Sequence, residues 1–124
     1  NSFSTSGNAT TSADSWIHVF SGSVYNNSST ASIGAFTIHG GYGMCAFDLD
    51  NGKIWFGKDG TWYNSGNPAS GSNATYSNLS GSVTPCIWMQ TSQENYGTAL
   101  HMGQRPFHSS APSGFKVLCD ANIG

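Results

Sequence analysis

Residues 47–62 read FDLDNGKIWFGKDGTW, and this stretch decides the fold class. Asn51-Gly52 is a preferred pair for a two-residue type I′ hairpin turn, because both residues tolerate positive φ. Such a turn places Leu49 opposite Ile54, and Asp50 opposite Lys53 as an ion pair. Alternation then predicts one apolar face and one face of mixed polarity. The apolar face carries Phe47, Leu49, Ile54 and Phe56, and the other carries Asp48, Asp50, Lys53 and Trp55.

The rest of the chain also has an all-β pattern. No stretch shows sustained helical periodicity, and glycine-rich turn signals recur at short intervals, including Lys58-Asp59-Gly60 after the hairpin. Between the strands, residues 61–81 read as a long polar loop, and loops of that kind are usually functional or mobile. We therefore expect an antiparallel protein with two packed layers. The predicted strands are residues 15–20, 32–38, 43–50, 53–58, 83–90, 99–103 and 115–119.

The composition favours a folded and nearly neutral domain. At 124 residues the chain is one domain; charged residues make up 8% of it, aromatic residues 13%, and the net charge is −2. Disordered chains are poor in aromatic residues. Nucleic-acid binding needs a basic surface, which argues against a nucleic-acid partner. No apolar run approaches the ~20 residues of a transmembrane helix, so we expect no membrane insertion.

The sequence offers no catalytic or metal-binding motif. A nucleophile elbow, a phosphate-binding loop and a zinc-protease signature are all absent from the sequence. Its three cysteines show no C-x-x-C spacing, and its four histidines show no ligand spacing. Cys45 shares the alternation of Phe47 and Leu49, which predicts a small core residue. We expect no enzymatic activity, no metal and no cofactor.

Several blocks resemble SPRY domains, in particular those of bacteriophage tail-fibre and other virion proteins. DLDNGKIWF at 48–56, followed by KDGTW at 58–62, resembles the central signature of that family. Three further stretches resemble family blocks and occur in the same order, although Met102 stands where the family usually has Phe. They are GSVYNN at 22–27, NSGNPA at 64–69, and GQRPF at 103–107 with APSGFK at 111–116. The resemblance runs from about Trp16 to the end.

The resemblance implies a concanavalin-like, two-layer antiparallel β-sandwich. SPRY domains usually have additional strands before the part matched here, so we expect residues 1–124 to be the C-terminal portion of a larger polypeptide. The first strands of the sandwich would then lie upstream or be replaced by contacts with another chain. Residues 1–13 are interpreted as a linker or a frayed strand leading into the domain, and residues 14–124 as the SPRY-like sandwich.

The candidate binding residues are aromatic and asparagine side chains in polar loops. Aromatic rings there stack on sugars or anchor protein contacts, while asparagine supplies hydrogen-bond donors and acceptors. The alternative is that Trp62 or Tyr96 simply caps the edge of the sandwich. The candidates are Trp62, Tyr63 and Asn64 at the start of the long loop, Tyr96 in a later loop, and Tyr25, Asn26 and Asn27 in an earlier turn.

Five asparagines head an N-x-S/T sequon, which matters only in a eukaryotic secretory pathway. A chain so rich in Asn, Ser and Thr is expected to contain such sequons by chance. They are Asn8, Asn26, Asn27, Asn73 and Asn78.

The resemblance implies a binding module that presents loops at one end of the sandwich. Our first hypothesis is a phage virion appendage, an extracellular homotrimeric fibre that recognises a host surface protein or glycan, because multivalency multiplies weak contacts. The second is a structural virion protein that acts in capsid decoration or fibre assembly and binds neighbouring virion proteins. The third is a cellular SPRY module that binds a peptide, and an enzyme comes last.

Overall fold

The computed structural model describes residues 14–18, 22–26, 29–32, 41–85, 101–103 and 105–118. Within these ranges the regular structure consists of strands and short 3₁₀ turns, and every strand pair is antiparallel, which confirms the all-β prediction for the described residues. The strands are β1 Ile17–His18, β2 Ser23–Asn26, β3 Ser29–Ser32, β4 Gly43–Asp48, β5 Lys53–Lys58 and β6 Thr61–Trp62. They form two sheets, of order β1-β2-β3 and β4-β5-β6.

The β4–β5 hairpin forms, but its register differs from the predicted one by two residues. Phe47 rather than Leu49 pairs with Ile54, and Asp48 rather than Asp50 pairs with Lys53. The loop therefore has four residues, 49–52, instead of two. Because side chains alternate with a period of two, this shift leaves every strand residue on its predicted face. Leu49 and Asp50 are the exceptions, since both leave the strand for the loop, where Leu49 is 46% exposed.

The Asp48 side chain accounts for this register. Its Oδ1 accepts the backbone N–H of Asn51 at 3.1 Å, and its Oδ2 accepts Asn51 Nδ2 at 2.7 Å. Aspartate commonly closes turns in this way, in competition with a tighter hairpin. The bonds from Asn51 also hold the pKa of Asp48 below its ordinary value, so the ionised carboxylate is the form that closes the turn.

The type I′ turn lies eight residues further along, at Asp59-Gly60. Both residues have positive φ, 48° and 87°, and the flanking Lys58 and Thr61 pair directly. Asp-Gly suits this turn for the same reason as Asn-Gly. The turn adds β6, a strand within the segment that the sequence predicts to be a loop. The side chains of Lys58 and Asp59 form an ion pair of 3.9 Å at this turn.

The described core lies between the two sheets. Val24 of the first sheet contacts a buried cluster that includes Ile54 and Phe56 of the second sheet and Leu79. Residues 75–79 run beside β5: Ile54 N–H donates to the carbonyl of Tyr76 at 3.0 Å, and Leu79 N–H donates to that of Gly52 at 2.9 Å. Half-buried side chains complete the cluster: Trp16, Phe47, Tyr63, Tyr76 and Val83.

The second face of β5, predicted to be of mixed polarity, is covered as well. Trp55 is 0% exposed, and its Nε1–H donates to the carbonyl of Ser72 at 2.9 Å. The ring of Phe115 meets it edge-on at 6.0 Å. Lys53 donates to the carbonyl of Gly71 at 2.7 Å rather than pairing with Asp50. The polar segment 66–73 therefore folds back over this face.

Several strand predictions need correction. Of the described residues 15–18 in the first predicted strand, Ile17–His18 form a strand, and residues 19–20 lie outside the described ranges. Strand β2 and most of β3 fall within the segment 21–31, which the turn pattern predicts as a loop. The described parts of three other predicted strands do not belong to either sheet; they are residues 83–85, 101–103 and 115–118. Residues 1–13, 33–38 and 86–100 lie outside the described ranges, as do Cys86 and Cys119.

Cys45 has exposed surface and is not a member of the buried core, contrary to the prediction, although burial around its thiol raises the pKa of that group to about 12. It shares a face with Phe47, as alternation predicts. Its cross-strand partner Phe56 belongs to the buried cluster, whereas Cys45 does not. Among the described residues, no helix has the length and apolar character needed to span a membrane.

Candidate functional site

The segment that follows β6 presents a continuous set of polar residues. Two short 3₁₀ turns, Tyr63–Ser65 and Pro68–Ser70, shape it. Asn64, Ser65 and Asn73 adopt left-handed backbone conformations with φ of 54°, 53° and 50°. Asparagine tolerates this region, whereas serine adopts it less readily. We call its exposed residues the loop surface: Asn64, Ser65, Asn67, Ala69, Ser70, Ser72 and Asn73.

Hydrogen bonds fix the loop surface onto the sheet. Trp55 and Lys53 hold the carbonyls of Ser72 and Gly71 from below, as described above. Within the segment, Asn73 Nδ2 donates to the carbonyl of Ser65 at 3.1 Å, and Asn67 N–H donates to that of Ser72 at 3.0 Å. A surface held at both ends loses little conformational entropy when it binds a ligand.

The chemistry of the loop surface is neutral. Residues 64–73 contain no charged side chain, and they offer amides, hydroxyls and backbone groups. Such groups match the hydroxyls of a sugar or the backbone of a protein, whereas phosphate recognition uses Arg or Lys. Elsewhere in the described ranges, no group of three or more His, Cys, Asp or Glu residues is arranged to hold a metal ion.

The predicted residues Trp62, Tyr63 and Asn64 have different environments. Trp62 is half-buried and covers Gly57, where an added Cβ would lie 2.9 Å from its Cε3 atom. Tyr63 packs against the core, and its buried hydroxyl has no hydrogen-bond partner within the described part of the chain. Burial raises the pKa of this hydroxyl above its ordinary value. Asn64 alone of the three is exposed and belongs to the loop surface.

Tyr25 and Asn26 lie in strand β2 rather than in the turn that was expected. Asn26 is 3% exposed, and its Nδ2 donates to the carbonyl of Ser15 at 2.9 Å. Its Oδ1 accepts Asn78 Nδ2 at 2.6 Å, and Asn78 in turn accepts the indole N–H of Trp16 at 3.0 Å. We call the bonded side chains of Trp16, Asn26 and Asn78 the asparagine clamp. The Asn26 amide is buried and bonded within the protein, so it does not form part of an exposed binding surface. Tyr96 and Asn27 lie outside the described residues.

His18 of β1 faces the same interior. Its ring lies 5.3 Å from that of Phe56 and 5.4 Å from that of Tyr63, measured between centroids. Loss of hydration in this setting lowers the pKa of His18 from 6.5 to about 4, because burial disfavours the charged imidazolium. His18 is therefore neutral at pH 7 and acts as an aromatic spacer between the sheets.

One exposed aromatic pair was not among the predicted site residues. Tyr42 is 54% exposed, and its ring is stacked on His108 with a centroid distance of 4.0 Å and an interplanar angle of 11°. We call this pair the aromatic platform. The two residues are 66 positions apart and lie in segments without periodicity. No sequence signal brings them together, since it is the Asp59-Gly60 turn that positions Tyr42.

Comparisons of the chain with protein-family models, with curated proteins and with solved structures give no match. The functional argument therefore depends on this chain's own residues and on their arrangement. Two surfaces carry it, the loop surface and the aromatic platform, and both adjoin the sheet β4-β5-β6.

Proposed function

We propose that this chain is a non-enzymatic binding module of a bacteriophage virion appendage, which recognises a protein or glycan on the host cell surface. The proposal includes the finer fold, a concanavalin-like two-layer β-sandwich of the SPRY type. Its support is the ordered series of sequence blocks, together with the single buried cluster to which Val24 of one sheet and Ile54 and Phe56 of the other belong. Sheets packed face to face share their apolar sides in this way.

The observation that carries the proposal is the fixed and neutral loop surface. Residues 64–73 are anchored by buried donors from β5, yet they expose amides and hydroxyls to solvent. Left-handed conformations at non-glycine residues cluster where a protein holds a loop in one shape for binding. A homotrimer would present three such surfaces, and multivalency would then convert weak contacts into stable attachment.

The test is attachment of the trimerised chain to whole bacterial cells. Asn64→Gly removes one exposed amide and keeps the left-handed backbone that glycine adopts without strain. Ala69→Glu adds a bulky carboxylate to the same surface. Ser80→Ala changes an exposed residue outside the surface and is the matched control. We expect saturable attachment that both loop variants weaken and the control preserves.

The second candidate is a structural virion protein, in capsid decoration or fibre assembly. Leu49 at the hairpin tip and Phe107 are exposed apolar residues, which suit contacts with neighbouring subunits. A folded trimer that attaches to no cell of the host, yet binds purified virion proteins through Leu49, would establish this alternative and contradict receptor recognition.

A further inference from the structure

The aromatic platform is ordered before any ligand arrives. Tyr42 N–H donates to Asp59 Oδ1 at 2.7 Å, and Asp59 N–H donates to the carbonyl of Tyr42 at 2.9 Å. These reciprocal bonds fix the backbone of Tyr42 to the Asp59-Gly60 turn. His108 fixes the ring from one side, and the stacked pair still leaves Tyr42 more than half exposed. A ring held in place avoids most of the entropy cost of binding.

Polar side chains lie beside the aromatic platform. The carboxylate of Asp59 lies 3.9 Å from Lys58 Nζ, so the pair offers an acceptor and a donor side by side. A carboxylate has about four acceptor positions, so the bond to Tyr42 leaves Asp59 capacity for further hydroxyl groups. Ser109 follows His108, and its hydroxyl lies 3.4 Å from His108 Nδ1 and close to Gly60.

An ordered, exposed aromatic ring with hydrogen-bonding side chains beside it favours one class of ligand. From it we infer that the aromatic platform is a saccharide subsite, on which the apolar face of a pyranose ring stacks on Tyr42 and sugar hydroxyls bond to Asp59 and Lys58. The cation beside Asp59, Lys58, is already paired with that carboxylate, which does not favour an anionic ligand. An extended apolar peptide would need a larger apolar area than one ring. The inference deepens the proposed function and depends on it, because it makes the host receptor a glycan.

The first arm of the test uses the purified 124-residue chain and the methyl glycosides of glucose, galactose, mannose and N-acetylglucosamine, followed by NMR saturation transfer. We expect at least one glycoside to bind in the millimolar range. Tyr42→Ala should weaken it about tenfold or more, whereas Tyr42→Phe should retain it, because the ring face and the stack remain. Leu49→Ala, a change to another exposed apolar residue, is the matched control.

The second arm separates this inference from the proposed function. The trimerised chain is applied to host cells treated with periodate, which destroys sugar diols, or with a protease. Attachment that is lost after periodate and lost in Tyr42→Ala, but survives protease, supports the subsite. Attachment that survives periodate and Tyr42→Ala overturns the subsite and leaves receptor binding intact. Attachment to no cells contradicts the proposed function, and the glycoside titration then decides the subsite by itself.

Discussion

Asn78 shows how one exposed residue joins distant parts of this chain. Its side chain accepts a hydrogen bond from Trp16, 62 positions away in the sequence, and donates one to the buried Asn26, 52 positions away. Both bonds satisfy polar side-chain groups at the margin of the core. An unsatisfied buried amide costs more than a neutral hydrogen bond contributes, so the position of Asn78 matters more than its exposure suggests.

We expect Asn78→Ala to lower the free energy of unfolding by about 2 kcal/mol, because it leaves Asn26 Oδ1 and the Trp16 indole without their partners. Urea denaturation followed by tryptophan fluorescence measures this. Ser80→Ala, two residues away and exposed, should stay within about 0.5 kcal/mol of the unmodified chain. Equal effects of the two substitutions would contradict the asparagine clamp.

His18 predicts a pH dependence of stability. Its folded pKa of about 4 lies below the ordinary value of 6.5, so between these values the unfolded chain binds a proton that the folded chain does not. Stability from this group is complete above pH 6.5 and declines as the pH falls towards 4. Urea midpoints at pH 7 and pH 5 should differ, and His18→Gln should reduce that difference. If the midpoints of His18→Gln at the two pH values differ as much as those of the unmodified chain, the pH dependence comes from other groups.

At the scale of elements, the β4–β5 hairpin shows that the alternation of apolar residues determines which face is buried, whereas the turn determines the register of the two strands. Alternation correctly placed Ile54 and Phe56 on the buried face, and it would do so for any register shifted by two residues. The register itself depends on the Asp48 side chain, whose bonds to Asn51 close a four-residue loop. A preferred dipeptide could not reveal this competition, and Asp59-Gly60 forms the type I′ turn instead.

The same loop allows a paired glycine test. Gly52 and Gly81 both have left-handed φ, 64° and 70°, but a Cβ on Gly52 would lie 2.8 Å from the carbonyl oxygen of Leu79, while one on Gly81 meets nothing within 4 Å. Gly81→Ala should therefore cost only the backbone strain, about 1 kcal/mol. Gly52→Ala should cost about 2–3 kcal/mol, because the clash adds to the strain. Thermal denaturation of both variants measures the two losses of stability. Equal losses would show that the Leu79 backbone moves aside from the added Cβ without an energetic penalty.

At the scale of the whole molecule, β5 is the element around which the described structure is arranged. Its two faces are covered by different segments, the Ile54 side by the first sheet and the Trp55 side by residues 66–73. The sequence predicted the strand and the alternation of its side chains. It could not predict the covering segment, because residues 61–81 are polar and without periodicity, and their attachment depends on carbonyl acceptors that every residue possesses.

The attachment of the loop surface can be tested at Trp55. Trp55→Phe keeps an aromatic ring in the site and removes the N–H that bonds to Ser72, so we expect a loss of about 1 kcal/mol. Hydrogen exchange should accelerate at the amides of Gly66, Asn67 and Gly71, whose bonds shape the segment. The Leu79 amide, which bonds to Gly52, is the internal control. Uniform acceleration at all four amides would indicate general destabilisation instead.

The asparagine clamp also affects the choice of host for producing this chain. Asn26 and Asn78 both begin sequons, and oligosaccharide transfer in a eukaryotic secretory pathway targets the side-chain nitrogen that each of them uses in a hydrogen bond. A glycan on either nitrogen would have to occupy the space between Ser15, Trp16 and β2. Secretion from yeast should therefore give misfolded or heterogeneous material, while a bacterial cytoplasm, which attaches no such glycan, should yield the native fold.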